Sequence, residues 1–135
     1  MPAEDSDVVV NTGPLVALAA CGQLDLLTAL HRRVVVPQVV AAEFGRGGAG
    51  DETFVVPGWV AVVAVGKPVS PLLLAYLDPG EAEVISLAIK LGLPRVLIDE
   101  RRGRVVARTM GLAVSGSLGV LLKAKREGLL PAIRP

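Results

Sequence analysis

Three carboxylates and one amide carry most of the chemistry this sequence offers: Glu43, Glu81, Asp99 and Asn11. Asp99 closes the apolar run VLID. Glu81 sits in the first turn of the helix predicted by DPGEAEVISLAIKLG, and its neighbours four and seven residues on, Ile85 and Ala88, are apolar. That spacing packs part of its face toward a sheet. Glu43 closes VVAAE, with Val39 and Val40 one turn behind it. Asn11 follows the strand candidate in DVVVNTGPLVALA. Like charges converging at one sheet edge repel, and a divalent cation supplies the missing counter-charge. Magnesium or manganese (Mg2+ or Mn2+) takes hard oxygen ligands and shares its shell with water and phosphate oxygens. Such an ion lowers the pKa of bound water and holds a scissile phosphate. Carboxylates without histidine suit magnesium better than zinc.

Each of these residues also has a plainer role. Glu81 can serve only to reach back to the Asp78 amide, in a capping box where Asp78 replaces the usual Ser or Thr. Asp99 can cap the helix around Arg101. Glu43 can be an ordinary helix residue. Asn11 can hold the Thr12–Gly13–Pro14 bend through its side-chain amide. Glu83, two residues beyond Glu81, lies toward Ser86 and Lys90 and reads as solvent-facing. The plain roles and metal binding can coexist.

The elements that must position these groups alternate along the chain. Val8–Val10, Val34–Val36, Trp59–Val65, RVLID and LAVSG are short apolar strand candidates. Continuous apolarity, not alternation, marks strands buried on both faces. Helices are predicted after Asn11, over GQLDLLTALHRR, QVVAAEF, LLLAYL, DPGEAEVISLAIKLG, RRGRVVARTMG and SLGVLLKAKREG. Pro14 and Pro79 fit first turns, Ser117 reads as a cap, and Gly92 and Gly128 as stops. Gly45–Gly50, GRGGAG, reads as a flexible connector. Strands alternating with helices predict an α/β fold, a mainly parallel sheet covered on both faces. Open sheets of this kind bind ligands beyond the carboxyl ends of their strands.

Length and composition fit one domain: 135 residues, 52% hydrophobic and 20% charged. We place a loose N-terminus at 1–6, the domain at 7–130 and a tail at 131–135. Cys21 is the only cysteine, which removes an internal disulfide and suggests a cytoplasmic setting. No apolar run is long enough to span a membrane. Residues 1–89 hold four Lys/Arg and ten Asp/Glu, whereas 90–135 hold ten and three. An acidic cluster beside a basic rim suits metal ions and a phosphate backbone; ordinary surface solvation is the plainer account.

Other motifs fail. GRGGAG matches GxGxxG formally but follows a helix candidate, not a strand. No phosphate loop of the GxxxxGK[ST] type occurs. His31 is the only histidine and reads as flanking a helix end; Cys21 reads as a small buried hydrophobe. Ser115 and Ser117 lie in no GxSxG context.

VVNTGPLVALA, VVVPQVVAAEF, DPGEAEVISLA, VLIDERRGRVVARTMGL and GSLGVLLKAKREGLL occur in an order that resembles PIN-like domains. The nearest resemblance is to predicted nucleic-acid-binding proteins related to VapC-type toxins, over about residues 7–130. It implies a three-layer α/β/α sandwich. It also implies a magnesium- or manganese-dependent ribonuclease, often a homodimer, sometimes a toxin paired with an antitoxin protein. Carried over, the acidic positions fall on Asn11, Glu43, Glu81 and Asp99, with Glu43, Glu81 and Asp99 catalytic. Thr12, Glu83 (a local alternative to Glu81) and Glu100 are accessory candidates. Arg101, Arg104, Arg108 and the amino end of the Ser117 helix are candidates for holding RNA phosphates, with Arg102 on another side of the same helix. The family usually has Asp where this chain has Asn11. An amide offers one oxygen ligand but no negative charge, which weakens a metal site. A catalytically weak or inactive module binding RNA or a protein partner is therefore the alternative.

Overall fold

The structure, a computed structural model, describes residues 7–47, 53–67 and 70–130. The terminus assigned to 1–6, the tail at 131–135 and Gly48–Gly50 of the connector lie outside the described residues. β1 (Asp7–Val10) leads into α1 (Thr12–Ala20) and α2 (Leu26–Leu30), then β2 (Arg33–Pro37), α3 (Gln38–Gly45) and β3 (Val60–Val63). The second half runs α4 (Pro71–Tyr76), α5 (Pro79–Leu91), β4 (Arg95–Leu97), α6 (Arg101–Thr109), β5 (Ala113–Ser115) and α7 (Ser117–Arg126). The strands form one sheet in the order β3-β2-β1-β4-β5, and every pairing is parallel. Helices cover both faces, so the expected three-layer α/β/α sandwich is what the chain adopts. α1 and α2 pack with α7, α5 packs with α4 and α6, and α3 touches both α1 and α5.

Valine runs explain why the centre of the sheet is where it is. Val8, Val9, Val10 and Val36 are completely buried, and Val34, Val35 and Val96 nearly so. β-branched side chains suit the pleat and pack well against the covering helices. The edge strands β3 and β5 are only partly buried. Phe44 and Phe54 stack with centroids 5.1 Å apart and fill the space beside α3.

Several boundaries differ from the sequence reading. β3 stops at Val63, not Val65, and α2 begins only at Leu26. β4 ends at Leu97, so Asp99 lies two residues past the strand on the turn into α6. Gly92 closes α5 as expected, in the left-handed conformation at φ 68° that favours glycine. Cys21 is exposed rather than buried, because α1 ends there and its side chain falls outside the core. The large apolar residues of α1 and α2 (Leu15, Leu18, Leu26, Leu27, Leu30) are buried in the chain's own core.

His31 does flank a helix end, following α2, and it is buried. Desolvation, helped by the positive charges of Lys123 and Arg95, lowers its pKa from 6.5 to about 4. The unfolded chain therefore takes up the imidazole proton first as pH falls. Stability should be unaffected by this group above 6.5, fall below it, and level off below about 4. The full effect is on the order of 3 kcal/mol. Urea unfolding of the parent chain and of His31→Gln across this range checks it: parallel slopes would refute the assignment.

Candidate functional site

The strand order reverses between β1 and β4, since β2 and β3 lie on one side of β1 and β4 and β5 on the other. Backbone beyond the carboxyl ends of two such strands splays apart and leaves a crevice. Asn11 follows β1 and Asp99 follows β4, so both fall at this point. Asn11 is held there by its backbone N–H, which donates to the Leu97 carbonyl at 3.0 Å. Its side chain makes no capping bond to α1, so it does not hold the bend as a plain turn residue would. An open cleft of about 540 Å³ lies here, and its lining includes Asn11, Thr12, Glu43, Asp78, Asp99 and Glu100.

Glu43 reaches the cleft from α3. Thr12 Oγ1 donates to Glu43 Oε1 at 3.2 Å, which ties α1 to α3. Thr12, the accessory candidate, therefore sits directly against Glu43. Gly80, in the first turn of α5, gives room for these groups. A β-carbon there would lie 2.9 Å from Glu43 Oε1, 3.4 Å from Asn11 Oδ1 and 3.4 Å from Asp78 Oδ1. Three oxygens from three elements thus surround one glycine. The sequence pattern marks Asp78 only as a cap. It is that, since Glu81 N–H donates to its Oδ1 at 2.8 Å, but it also lines the cleft. The spacing of a cap carries no signal for this second role.

Asp99 corrects two expectations. It does not cap α6: Glu100 holds the N-cap position there, without a side-chain bond. Instead Asp99 closes the amino end of α7. Ser117 N–H donates to Asp99 Oδ1 at 2.7 Å, and Ser117 Oγ lies 3.1 Å from Oδ1 and 2.9 Å from Oδ2. A carboxylate at a helix amino end is stabilised by the unpaired N–H groups and the helix dipole. Ser117 is the first residue of α7 and Gly116 its cap, so Ser117 is not the cap either. Its N–H and hydroxyl donors both face Asp99.

Glu81 is the largest departure. It is buried at 4% exposure and does not line the cleft of Asn11, Glu43 and Asp99; it borders a neighbouring recess with Tyr76, Glu100, Arg101 and Arg102. Its Oε2 has no hydrogen-bond partner and packs beneath α6, where a β-carbon on Gly103 would come within 2.7 Å of it. Burial, then the Asp78 charge, raise its pKa; the Asp78 backbone N–H partly offsets them, as in a capping box. Glu83 is half-buried rather than solvent-facing. Its pKa is raised by burial and then by the Glu43 charge, which puts Glu83 on the side of α5 that faces Glu43.

No group of three or more His, Cys, Asp or Glu side chains converges to hold a metal ion among the described residues. The reasons are visible residue by residue. Asn11 is neutral, Glu81 borders an adjoining recess that shares Asp78 and Glu100 with the cleft, and Asp99 already accepts hydrogen bonds from Ser117. The donors present therefore do not fit a preassembled magnesium or manganese shell.

Four basic side chains, Arg101, Arg102, Arg104 and Arg108, lie along α6. Arg101, Arg102 and Arg108 are exposed. Arg102 points Nη1 at the Tyr76 carbonyl at 3.5 Å, a long contact. Arg104 is half-buried, and its Nη1 would be 3.4 Å from a β-carbon on Gly116, so it lies beside the Asp99 end of the cleft. The connector glycines Gly45 and Gly47 close α3 rather than open a helix, so they form no dinucleotide loop.

A doubly wound parallel sheet with an acidic cleft at its reversal point and a basic helix beside it defines the class of protein. A family model described as a PIN domain, DUF3368, matches residues 7–135, and the chain belongs to this PIN-domain family. No curated protein matches it. No helix among the described residues is long and apolar enough to cross a membrane.

Proposed function

We propose that this PIN domain is a nucleic-acid-binding module, with RNA as its polymer, in which metal-dependent hydrolysis is weak or lacking. The observation that carries the reading is the state of the cleft. Its first acidic position is an amide, Asp99 is engaged by Ser117, and Glu81 is withdrawn beneath α6. α6 presents Arg101 and Arg108 to solvent for the backbone.

The test is fluorescence anisotropy of labelled single-stranded RNA with the full chain, in EDTA and in manganese, with the RNA recovered and sized. Saturable binding in EDTA with intact RNA supports the proposal. Replacing Arg101 and Arg108 by Ala should reduce the slope of log affinity against log salt by about 1.4, roughly 0.7 for each phosphate no longer neutralised. An unchanged slope would remove α6 from the interface. Absence of binding would defeat the RNA assignment and leave a protein partner.

One observation favours a second reading. Asn11, Glu43 and Asp99 come from three separate elements and still line one cleft. In this reading the chain is a magnesium- or manganese-dependent ribonuclease, the toxin of a toxin-antitoxin pair, acting in the cytoplasm as a homodimer. Manganese-dependent cleavage that Asp99→Asn abolishes would establish it over the first.

A further inference from the structure

A cavity of about 110 Å³ lies between the sheet and α7 and shares no lining residue with the cleft. It is floored by Val8 of β1 and by β4 and β5 along their length, and Gly119 and Val120 of α7 form its other wall. α7 comes close to β5 here, since a β-carbon on Gly119 would strike Ser115 Oγ. Its polar lining is His31, Arg95, Ser115 and Lys123, and no carboxylate is among its lining residues. The nearest one along β1, Asp7, is engaged by Arg32 at 3.2 Å and Arg33 at 3.3 Å. Among the described residues Arg95 and Lys123 form no ion pair.

His31 supplies an independent sign of a missing partner. It is 8% exposed, and its Nδ1 is buried with no hydrogen bond. Leaving such an atom unpaired costs about 1–3 kcal/mol. Two cations beside one another without a counter-ion raise the local potential further. The polar side chains that line this cavity can all donate: a guanidinium, an ammonium, a hydroxyl and an imidazole N–H. Such a set is complementary to an acceptor-only anion. An uncharged guest would satisfy the hydrogen bonds and leave the charge unbalanced.

We propose that this cavity binds a small tetrahedral oxyanion of the inorganic phosphate class, held between Lys123, Arg95, Ser115 and His31. The site is separate from the acidic cleft and from α6, so it does not depend on the nucleic-acid reading.

The experiment is an NMR titration of the full-length, nitrogen-15-labelled chain with sodium phosphate, against sodium chloride at equal ionic strength. His31 is the only histidine, so its imidazole signals report this cavity without ambiguity. Phosphate should shift them saturably and chloride should not. The His31 titration midpoint should move up from about 4 toward 6.5 when the cavity is filled, because an anion favours imidazolium. Lys123→Met should weaken phosphate binding at least about 10-fold, since charge-assisted donors are the strong ones. Arg95→Gln should weaken it too, and Arg101→Ala with Arg108→Ala should leave it unchanged. Lys123 and Arg95 are at least partly exposed, so both single variants keep the core. Equal shifts with chloride would overturn the proposal. So would a phosphate response that survives Lys123→Met and Arg95→Gln, or one abolished with the α6 arginines.

Discussion

Asn11→Asp is expected to give this protein a divalent-metal site that its own sequence does not assemble. In isothermal titration with manganese, the parent chain should show binding at least about 10-fold weaker than the variant, a difference of about 1.4 kcal/mol. The reason is the position of the side chain. Asn11 Oδ1 and Glu43 Oε1 face the same point above Gly80, and Asp99 lines the same cleft. A carboxylate at position 11 adds a negative charge where an amide gives only a dipole, and hard cations respond to charge. The same substitution should destabilise the metal-free chain. Position 11 is 8% exposed, and a second carboxylate so close to Glu43 raises the cost of ionising both. A loss of about 1–3 kcal/mol is expected in EDTA, recovered as manganese is added. Equal manganese affinity in the two chains, or a loss of stability that manganese does not restore, would show that the amide is not what limits this cleft.

The second large effect concerns Gly103. Exposed glycines inside helices usually gain about 1 kcal/mol on replacement by alanine. Gly103→Ala should do the reverse and lose about 1–2 kcal/mol. The added methyl group would lie 2.7 Å from Glu81 Oε2 and 2.9 Å from Ile98 Cγ2, and overpacking of this kind costs about 1–3 kcal/mol. Gly103 is buried against α5, so neither neighbour can simply move into solvent. Making the change in a Glu81→Ala background separates the two clashes. There the penalty should shrink by about 1 kcal/mol, because only Ile98 remains in the way. Denaturant unfolding of the four chains measures this, and identical penalties in both backgrounds would place Glu81 elsewhere than beneath α6.

These two sites also show where sequence reasoning stops. Spacing along α5 places Glu81 on the face toward the sheet, which is right: it is 4% exposed. The same spacing cannot say which space its carboxylate enters. That is decided by α6, which crosses at Gly103 and roofs it over. Asp99 is legible as the polar end of the fourth strand segment. Its partner is not, because Ser117 lies eighteen residues on and meets Asp99 only when β5 is laid beside β4. Glu83 is solvent-facing when its own helix is considered alone, whereas α3 brings Glu43 toward it.

What the sequence by itself determined is the set of elements and their class. Runs such as VVV, bounded by Asn11 or Pro37, are buried strands because no alternation offers them a wet face. Pro79 and Gly92 bracket α5 because one lacks a donor the helix does not need and the other accepts φ 68°. These are local properties of backbone and side chain, readable from neighbours in the chain. Tertiary structure alone decided the site. The reversal of strand order beside β1 gathers Asn11, Glu43, Asp78 and Asp99 into one cleft, and it engages Asp99 with Ser117 while burying Glu81 apart. It also sets His31 beside Lys123 and Arg95, residues that lie in three different parts of the sequence. Contacts between distant segments depend on how the layers stack, and one-dimensional spacing contains no record of that.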